Sequence, residues 1–182
     1  MDYDYLKYAA SMNPDMLESL IRDYGQEVWN YAFLIGRNRS LADDITQDVF
    51  IRAYRHLDSF RGEASVKTWL LRITRNLSYN YKNSAFFRRT ILPGRIIPNG
   101  QQRSAEQAFL DEEATNEVWR HVFSLPAKHR EILLLHARHQ LSMTEIASLL
   151  GIPEGTAKSR LFAARQKLSR LLKEEGTYET FI

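Results

Sequence analysis

Read as a pattern of apolar and polar positions, the chain predicts helices and no strands. Met16, Leu17, Leu20, Ile21, Tyr24, Val28, Trp29, Tyr31, Ala32 and Ile35 recur at about the helical period, and Pro14 suits a first turn after Asn13. Gly25 and Gly36 are candidate points for a break and an end, so this stretch reads as one helix or a pair. Ser40, with Asp43 three residues on, is placed to cap a second helix over about Leu41 to Leu57 that buries Ala42, Ile45, Val49, Ala53 and Tyr54. The other face of that helix carries Asp44, Gln47, Asp48, Ile51 and Arg55 at i, i+3, i+4, i+7 and i+11, one continuous exposed strip. After the Gly-containing loop DSFRGEA, Ser65 caps a long third helix whose buried stripe is Val66, Trp69, Leu70, Ile73 and Leu77.

Periodicity fails from about Thr90 to Gln107, where TILPGRIIPNGQQRSAEQ holds two Pro and two Gly and reads as a flexible linker. Helices resume with Phe109 to Ser124, followed by one that Pro126 opens and that runs through His139, burying Ile132, Leu133, Leu135 and Ala137. The last stretch, LSMTEIASLLGIPEGTAKSRLFAARQKLSRLL from Leu141 to Leu172, predicts two helices joined by a tight turn. Ser142 and Glu145 have capping-box spacing, Gly151 ends the first helix, and Pro153 restarts the chain. In the second helix Ala157, Leu161, Ala164 and Leu168 form the core stripe, while Gly155, Ser159, Phe162, Ala163 and Gln166 face the other way, flanked by Lys158 and Arg165. The fold class is therefore all-α: two small helical domains, 1–88 and 108–182, joined by a flexible linker at 89–107, with a helix-turn-helix in the second.

Charge sharpens this picture. A net charge of +3 conceals a strong asymmetry. Arg61 to Arg95 holds eight basic residues against Glu63 alone, Ser104 to Glu117 holds five acids and no base, and Thr156 to Lys173 holds six basic residues and no acid. Two basic blocks separated by an acidic stretch point to two nucleic-acid surfaces on one chain. A basic helix with a small-residue core stripe suits the major groove of duplex DNA. Aromatic and basic residues interleaved on the third helix and its preceding loop suit single-stranded nucleic acid, because rings stack on bases while Arg and Lys neutralise phosphates. Trp69 lies on the buried stripe and reads as core, leaving Phe60, Tyr79, Phe86 and Phe87 as the freer rings.

Other classes are excluded or disfavoured. Without Cys there are no disulfides, thiolate zinc sites or Cys nucleophiles. No run approaches the roughly 20 apolar residues of a membrane span, and MDYDYLKYAA places acids where a signal peptide carries positive charge, so a soluble cytoplasmic protein without stable membrane insertion is expected. His129, His136 and His139 lack a carboxylate partner at ligand spacing, so packing or surface roles are expected of them, with no metal or other cofactor.

DDITQDVFIRAYRHLDSFRGEASVKTWLLRITRNLSYNYK and LSMTEIASLLGIPEGTAKSRLFAARQKL, in this order across a variable linker, resemble the two domains of bacterial RNA polymerase sigma factors of the extracytoplasmic-function (ECF) group. The resemblance covers nearly the whole chain. It implies a non-enzymatic protein that binds core RNA polymerase through its beta-prime and beta subunits, directs it to particular promoters and helps open the DNA. It also implies an anti-sigma protein as partner. The polymerase contact falls on Asp44, Gln47, Asp48, Phe50 or Ile51, and Arg55, facing the beta-prime coiled coil. Minus-ten recognition falls on Phe60, Arg61, Lys67, Arg72, Arg75, Asn76 and Tyr79. The minus-thirty-five element falls to Thr156, Lys158, Ser159, Arg160, Phe162 and Arg165, with Lys158, Ser159 and Phe162 nearest base edges and Arg160, Arg165 and Lys167 on phosphates. The chain departs from the family pattern at Ala163, where Arg is frequent, and at Asn80, where Asp is frequent. The competing reading, a helix-turn-helix regulator acting without polymerase, explains the C-terminal block but leaves Asp44 to Lys82 without a task.

Overall fold

The computed structural model describes residues 3, 6, 9, 12–91 and 117–174. The chain divides into two compact units, Met1–Gln102 and Arg103–Ile182. Among the described residues all regular structure is helical.

In the first unit, α1 (Pro14–Gly36), α2 (Arg39–Arg55) and α3 (Val66–Ile91) pack against one another around a shared core. Asn13 caps α1, its side-chain oxygen accepting from the Met16 N–H at 2.8 Å, with Pro14 in the first turn where a missing N–H costs nothing. The helix runs unbroken through Gly25, since Leu20, Val28, Tyr31, Ala32 and Ile35 supply a continuous buried face that outweighs the ~1 kcal/mol cost of a mid-helix glycine. Gly36 is the last helical residue, but the left-handed position is Arg37, at φ 53°. What Gly36 provides is room: a Cβ there would lie 3.1 Å from the Leu41 side chain.

The cap of α2 is Asn38, which accepts from the Leu41 N–H at 2.9 Å; Ser40, expected in that role, lies inside the first turn. Ala42, Ile45, Val49, Phe50 and Ala53 are buried, whereas Tyr54, expected in the core, is exposed. A single 3₁₀ turn, Leu57–Ser59, leads into the loop before α3. Ser65 then accepts from the Thr68 N–H at 3.1 Å as the cap of α3. The buried side of α3 is wider and more polar than a simple stripe: Leu71, Thr74 and Ser78 join Val66, Trp69, Leu70 and Leu77, while Ile73 is half-buried. Thr74 and Ser78 reach the core because their hydroxyls donate back to the Leu70 and Thr74 carbonyls, both at 2.8 Å. The helix continues to Ile91, so the first residues of the expected linker are helical; the rest of it, from 92, lies outside the described residues.

In the second unit, α4 (Glu117–Ser124) and α5 (Ala127–Leu133) precede the pair α6 (Met143–Leu150) and α7 (Glu154–Glu174). Arg130, 5 % exposed, ties α4 to α5 by donating to the Phe123 carbonyl at 2.8 Å and the Leu125 carbonyl at 3.4 Å, which satisfies acceptors that the end of α4 leaves open. After Leu133 the chain does not remain α-helical to His139 as expected. Leu134–Arg138 winds as a π-helix, with the His139 N–H bonded to the Leu134 carbonyl at 3.1 Å. This wider turn shifts the register, so Leu134 is buried and Ala137, read as core, is exposed.

Candidate functional site

The exposed face of α2 is arranged by helical geometry. At about 3.6 residues per turn it runs, in angular order, Gln47, Ile51, Asp44, Arg55, Asp48 and Arg52. Asp44, Gln47, Ile51 and Arg55 are exposed and Asp48 is half-buried. On the α1 side, Leu17, Ile21, Asp43, Thr46, Gln47, Phe50 and Ile51 line an open, mainly apolar groove of about 350 Å³. Of the two neighbours named from sequence, Phe50 is 4 % exposed, whereas Ile51, at 39 %, presents its side chain outward. On the α3 side, the Tyr81 hydroxyl donates to Asp48 Oδ2 at 2.8 Å. That hydrogen bond, together with burial and the charges of Asp48 and Asp44, pushes the Tyr81 hydroxyl above the ordinary tyrosine range, against a smaller opposing effect of Arg52. Trp29 of α1 likewise donates to Asp43 Oδ1 at 2.7 Å, its ring stacked on Phe33 at 5.3 Å.

The loop before α3 and the outer face of α3 hold the second group. Phe60 is not a free ring: it is 6 % exposed and packs at 5.3 Å against Trp69, itself 8 % exposed. Each ring covers the other, a pairing that sequence spacing alone does not show. Arg61 is exposed beside Gly62, which adopts φ 72°. Lys67 is paired with Glu27 of α1 at 3.0 Å, so this cation is already engaged within the fold. Arg72, Arg75, Asn76 and Tyr79 stand at i, i+3, i+4 and i+7 on one face of α3, the first two and Tyr79 half-buried and Asn76 exposed. Arg75 lies over the Tyr79 ring, 4.8 Å from its centroid, a stacked cation rather than two independent groups. The Phe86 and Phe87 side chains lie outside the described residues.

The third group is the α6–α7 pair. The capping box forms: Ser142 Oγ accepts from the Glu145 N–H at 3.2 Å, and Glu145 Oε2 accepts from the Ser142 N–H at 2.9 Å. Gly151, at φ 67°, makes the left-handed turn that reverses the chain into α7. Ala157, Leu161 and Ala164 are buried and let α7 approach its neighbours closely, while Leu168 is half-exposed. Thr156, Lys158, Ser159, Phe162, Arg165 and Gln166 are exposed, Phe162 to 64 %, and Arg160 is half-buried. Lys158 is held by Glu154 at 2.6 Å, and Glu154 also accepts from Thr144 Oγ1 at 2.9 Å, joining α6 to the start of α7. The hydrogen bonds from Lys158 and then Thr144 lower the Glu154 carboxyl below the ordinary carboxylate range.

Of the three histidines named from the sequence, His129 and His139 are buried and His136 is half-buried. His139 is 2 % exposed and His129 6 %, and burial, then the charges of Lys167, Lys128 and Arg160, depress the His129 imidazole below its ordinary range. His136 is lowered by burial and by Arg165, whose guanidinium approaches Nδ1.

Tyr81, Glu154 and Glu27 are site neighbours that spacing did not single out. Tyr81 follows Leu77 by four residues and Leu70 by eleven, so extending the buried stripe of α3 by one turn would have placed it against α2.

Comparison with known proteins places one family model on each unit. The Sigma-70 region 2 family matches residues 20–85 and the Sigma-70 region 4 family matches residues 120–168. The chain is 28 % identical over 180 residues to the ECF RNA polymerase sigma factor SigW of Bacillus subtilis, covering 93 % of this chain and 95 % of that one. It is 30 % identical over 158 residues to SigM of the same organism, covering 85 % and 94 %, and 34 % identical over 142 residues to the ECF RNA polymerase sigma-E factor of Escherichia coli, covering 69 % and 70 %. In fold it is similar to the sigma factor RpoE in the complex with the anti-sigma factor NepR from Bartonella quintana, with a TM-score of 0.70 at 23 % identity over 86 % of this chain and 96 % of that one. It is also similar to CnrH in complex with the cytosolic domain of CnrY, with a TM-score of 0.67 at 26 % identity over 94 % and 97 %. With two helical units in this order, one family model on each and relatives matched along most of their length, the chain belongs to the ECF group of bacterial RNA polymerase sigma factors, which bind core RNA polymerase and direct it to promoters.

Proposed function

We propose that the two units grip a promoter at two points. The first, 1–88, meets core polymerase through the α2 strip and opens the minus-ten region through the loop before α3 and the outer face of α3. The second, 108–182, reads the minus-thirty-five duplex with α7. The observation that carries this assignment is the exposed edge of α7, where Ser159 and the 64 %-exposed Phe162 stand among Lys158, Arg165 and Gln166 on a helix fixed by the Gly151 turn. An exposed ring of that size among the six cations of Thr156 to Lys173 suits contact with base edges and thymine methyl groups.

On the polymerase side, the groove floored by Phe50 and edged by Gln47 and Ile51 provides apolar area, and Asp44, Asp48 and Arg55 set orientation by charge. On the minus-ten side, Arg61 and Asn76 are exposed, with the half-buried Arg75–Tyr79 stack beside Asn76. Lys67 contributes through Glu27 and Phe60 through Trp69, shaping the surface from behind. Sigma factors are non-enzymatic initiation factors, and this chain is read in the same way: it binds and opens DNA while the polymerase forms the phosphodiester bond. Its place of action is the cytoplasm with the polymerase; among the described residues no helix is long and apolar enough to cross a membrane. Because RpoE forms a complex with the anti-sigma factor NepR, and CnrH one with the cytosolic domain of CnrY, an anti-sigma protein is proposed as a further partner.

The deciding experiment is run-off transcription on genomic DNA with core enzyme, followed by mapping of the starts. Specific starts that require both this protein and core enzyme support the reading. Tight, site-specific duplex binding without core, together with no new starts, would instead favour a free-standing helix-turn-helix regulator.

A further inference from the structure

We propose that Tyr81 is a positioning residue for the polymerase contact, its hydroxyl fixing the Asp48 carboxylate at one edge of the α2 strip. The inference rests on the reading that this strip meets polymerase. Tyr81 reaches Asp48 from a different helix, thirty-three residues away in sequence, with the hydroxyl 2.8 Å from Oδ2. Asp44, Asp48 and Arg52 follow one another at four-residue intervals and form a single row on α2. The charges of Asp48 and Asp44 raise the Tyr81 hydroxyl, and that of Arg52 opposes them.

A tyrosine is well suited to this task. Its ring is rigid, and its hydroxyl, held above the ordinary range, remains a donor throughout the physiological pH interval. A carboxylate on an exposed helix face otherwise samples several rotamers, and ordering it on binding subtracts from affinity. A second aromatic donor, Trp29 of α1, holds Asp43 on the opposite flank at 2.7 Å. Each helix packed against α2 thus fixes one acid of α2, and the unit presents its acidic pattern to a partner in a prepared geometry.

The test is competition for core polymerase by the full-length protein carrying Tyr81→Phe, Asp48→Ala, both together, or Asp48→Glu. Tyr81→Phe keeps the ring and removes only the donor, and is expected to weaken core binding about two- to tenfold, the worth of one hydrogen bond. In the Asp48→Ala background it should cost nothing more. Asp48→Glu, which keeps the charge but moves the carboxylate, should lose affinity to a similar degree. Helix content and unfolding temperature, read in parallel, identify any variant that merely fails to fold, and Asp48→Glu then carries the test for Tyr81→Phe. If Asp48→Ala binds core as the parent does, the assignment of the strip itself fails. If Asp48→Ala is weak while Tyr81→Phe alone is not, or if Tyr81→Phe weakens the Asp48→Ala protein by the same factor, the positioning role is overturned.

Discussion

The Arg165 guanidinium of α7 lies 3.4 Å from the Nδ1 of His136, which belongs to the π-helical turn preceding the helix-turn-helix. Arginine has no acceptor, so this contact makes Nδ1 the acceptor and places the imidazole proton on Nε2. A protonated His136 would face Arg165 as a like charge, and the same holds for His129 beside Lys167, Lys128 and Arg160.

Burial first and these like charges second depress both imidazoles in the fold relative to the unfolded chain, and the sign of their linkage follows. The unfolded chain takes up these protons first, so the stability of the second unit is full above the ordinary histidine value of about 6.5 and declines as pH falls through it toward the lower folded values. Thermal unfolding followed from pH 7.5 down to 5.5 should show this decline, and His129→Gln and His136→Gln should each flatten it. A decline of the same steepness in both variants would place its origin elsewhere.

Arg130 supplies a second prediction. It is buried and bonded to two carbonyls at the end of α4, so Arg130→Met, which keeps most of the stem, should still cost about 2 kcal/mol by leaving those acceptors unpaired. Chemical denaturation that separates the transitions of the two units would show the loss in the second alone.

Phe60 and Arg61 are neighbours in the same loop and should fail differently. Phe60→Ala opens space against Trp69 and should destabilise the first unit by about 3 kcal/mol or more. Arg61→Ala, at an exposed position, should leave stability within about 0.5 kcal/mol and reduce permanganate reactivity of minus-ten thymines in the polymerase complex. Equal stability losses in both would contradict the burial of Phe60.

On α7, Ser159 and Phe162 variants should change which minus-thirty-five sequences are preferred in a promoter library, whereas Arg165→Ala should weaken all promoters alike and lower the salt slope by about one. Glu154→Gln frees Lys158 from its 2.6 Å partner and should steepen that slope by about one instead. Slopes measured by duplex binding of the polymerase complex between low and moderate salt distinguish these outcomes.

The helical periods, Pro14 in the first turn of α1, the Ser65 and Ser142 caps and the Gly151 turn were legible in the sequence because each depends on contacts within a few residues. The departures came from interactions that local patterns do not carry. A π-turn at Leu134–Arg138 breaks the 3.6-residue period on which Ala137 was placed in the core. Asn38 outcompetes Ser40 as a cap because the left-handed Arg37 delivers the chain to α2 two residues earlier than expected. Phe60 and Trp69 cover each other, and Lys67 finds Glu27 forty residues away, pairings set by how α1, the loop and α3 meet. Of the candidate surfaces, the exposed edge of α7 and the α2 strip could be read from periodicity, and the α3 stripe extends to Tyr81, but the pairing of Tyr81 with Asp48 and of Trp29 with Asp43 is made between helices and could not.

Gly36 touches none of the groups to which a binding role has been given, yet it sets the clearance at the corner where α1 turns into α2. A methyl group there would press on Leu41 at 3.1 Å. Relief requires the end of the Leu41 side chain to give by a few tenths of an ångström, at the first turn of α2. A single missing carbon thus lets α2 begin directly after α1 with Leu41 undisturbed, so a substitution at this corner would register first in how the two helices meet, without altering any charge or ring on the exposed face of α2.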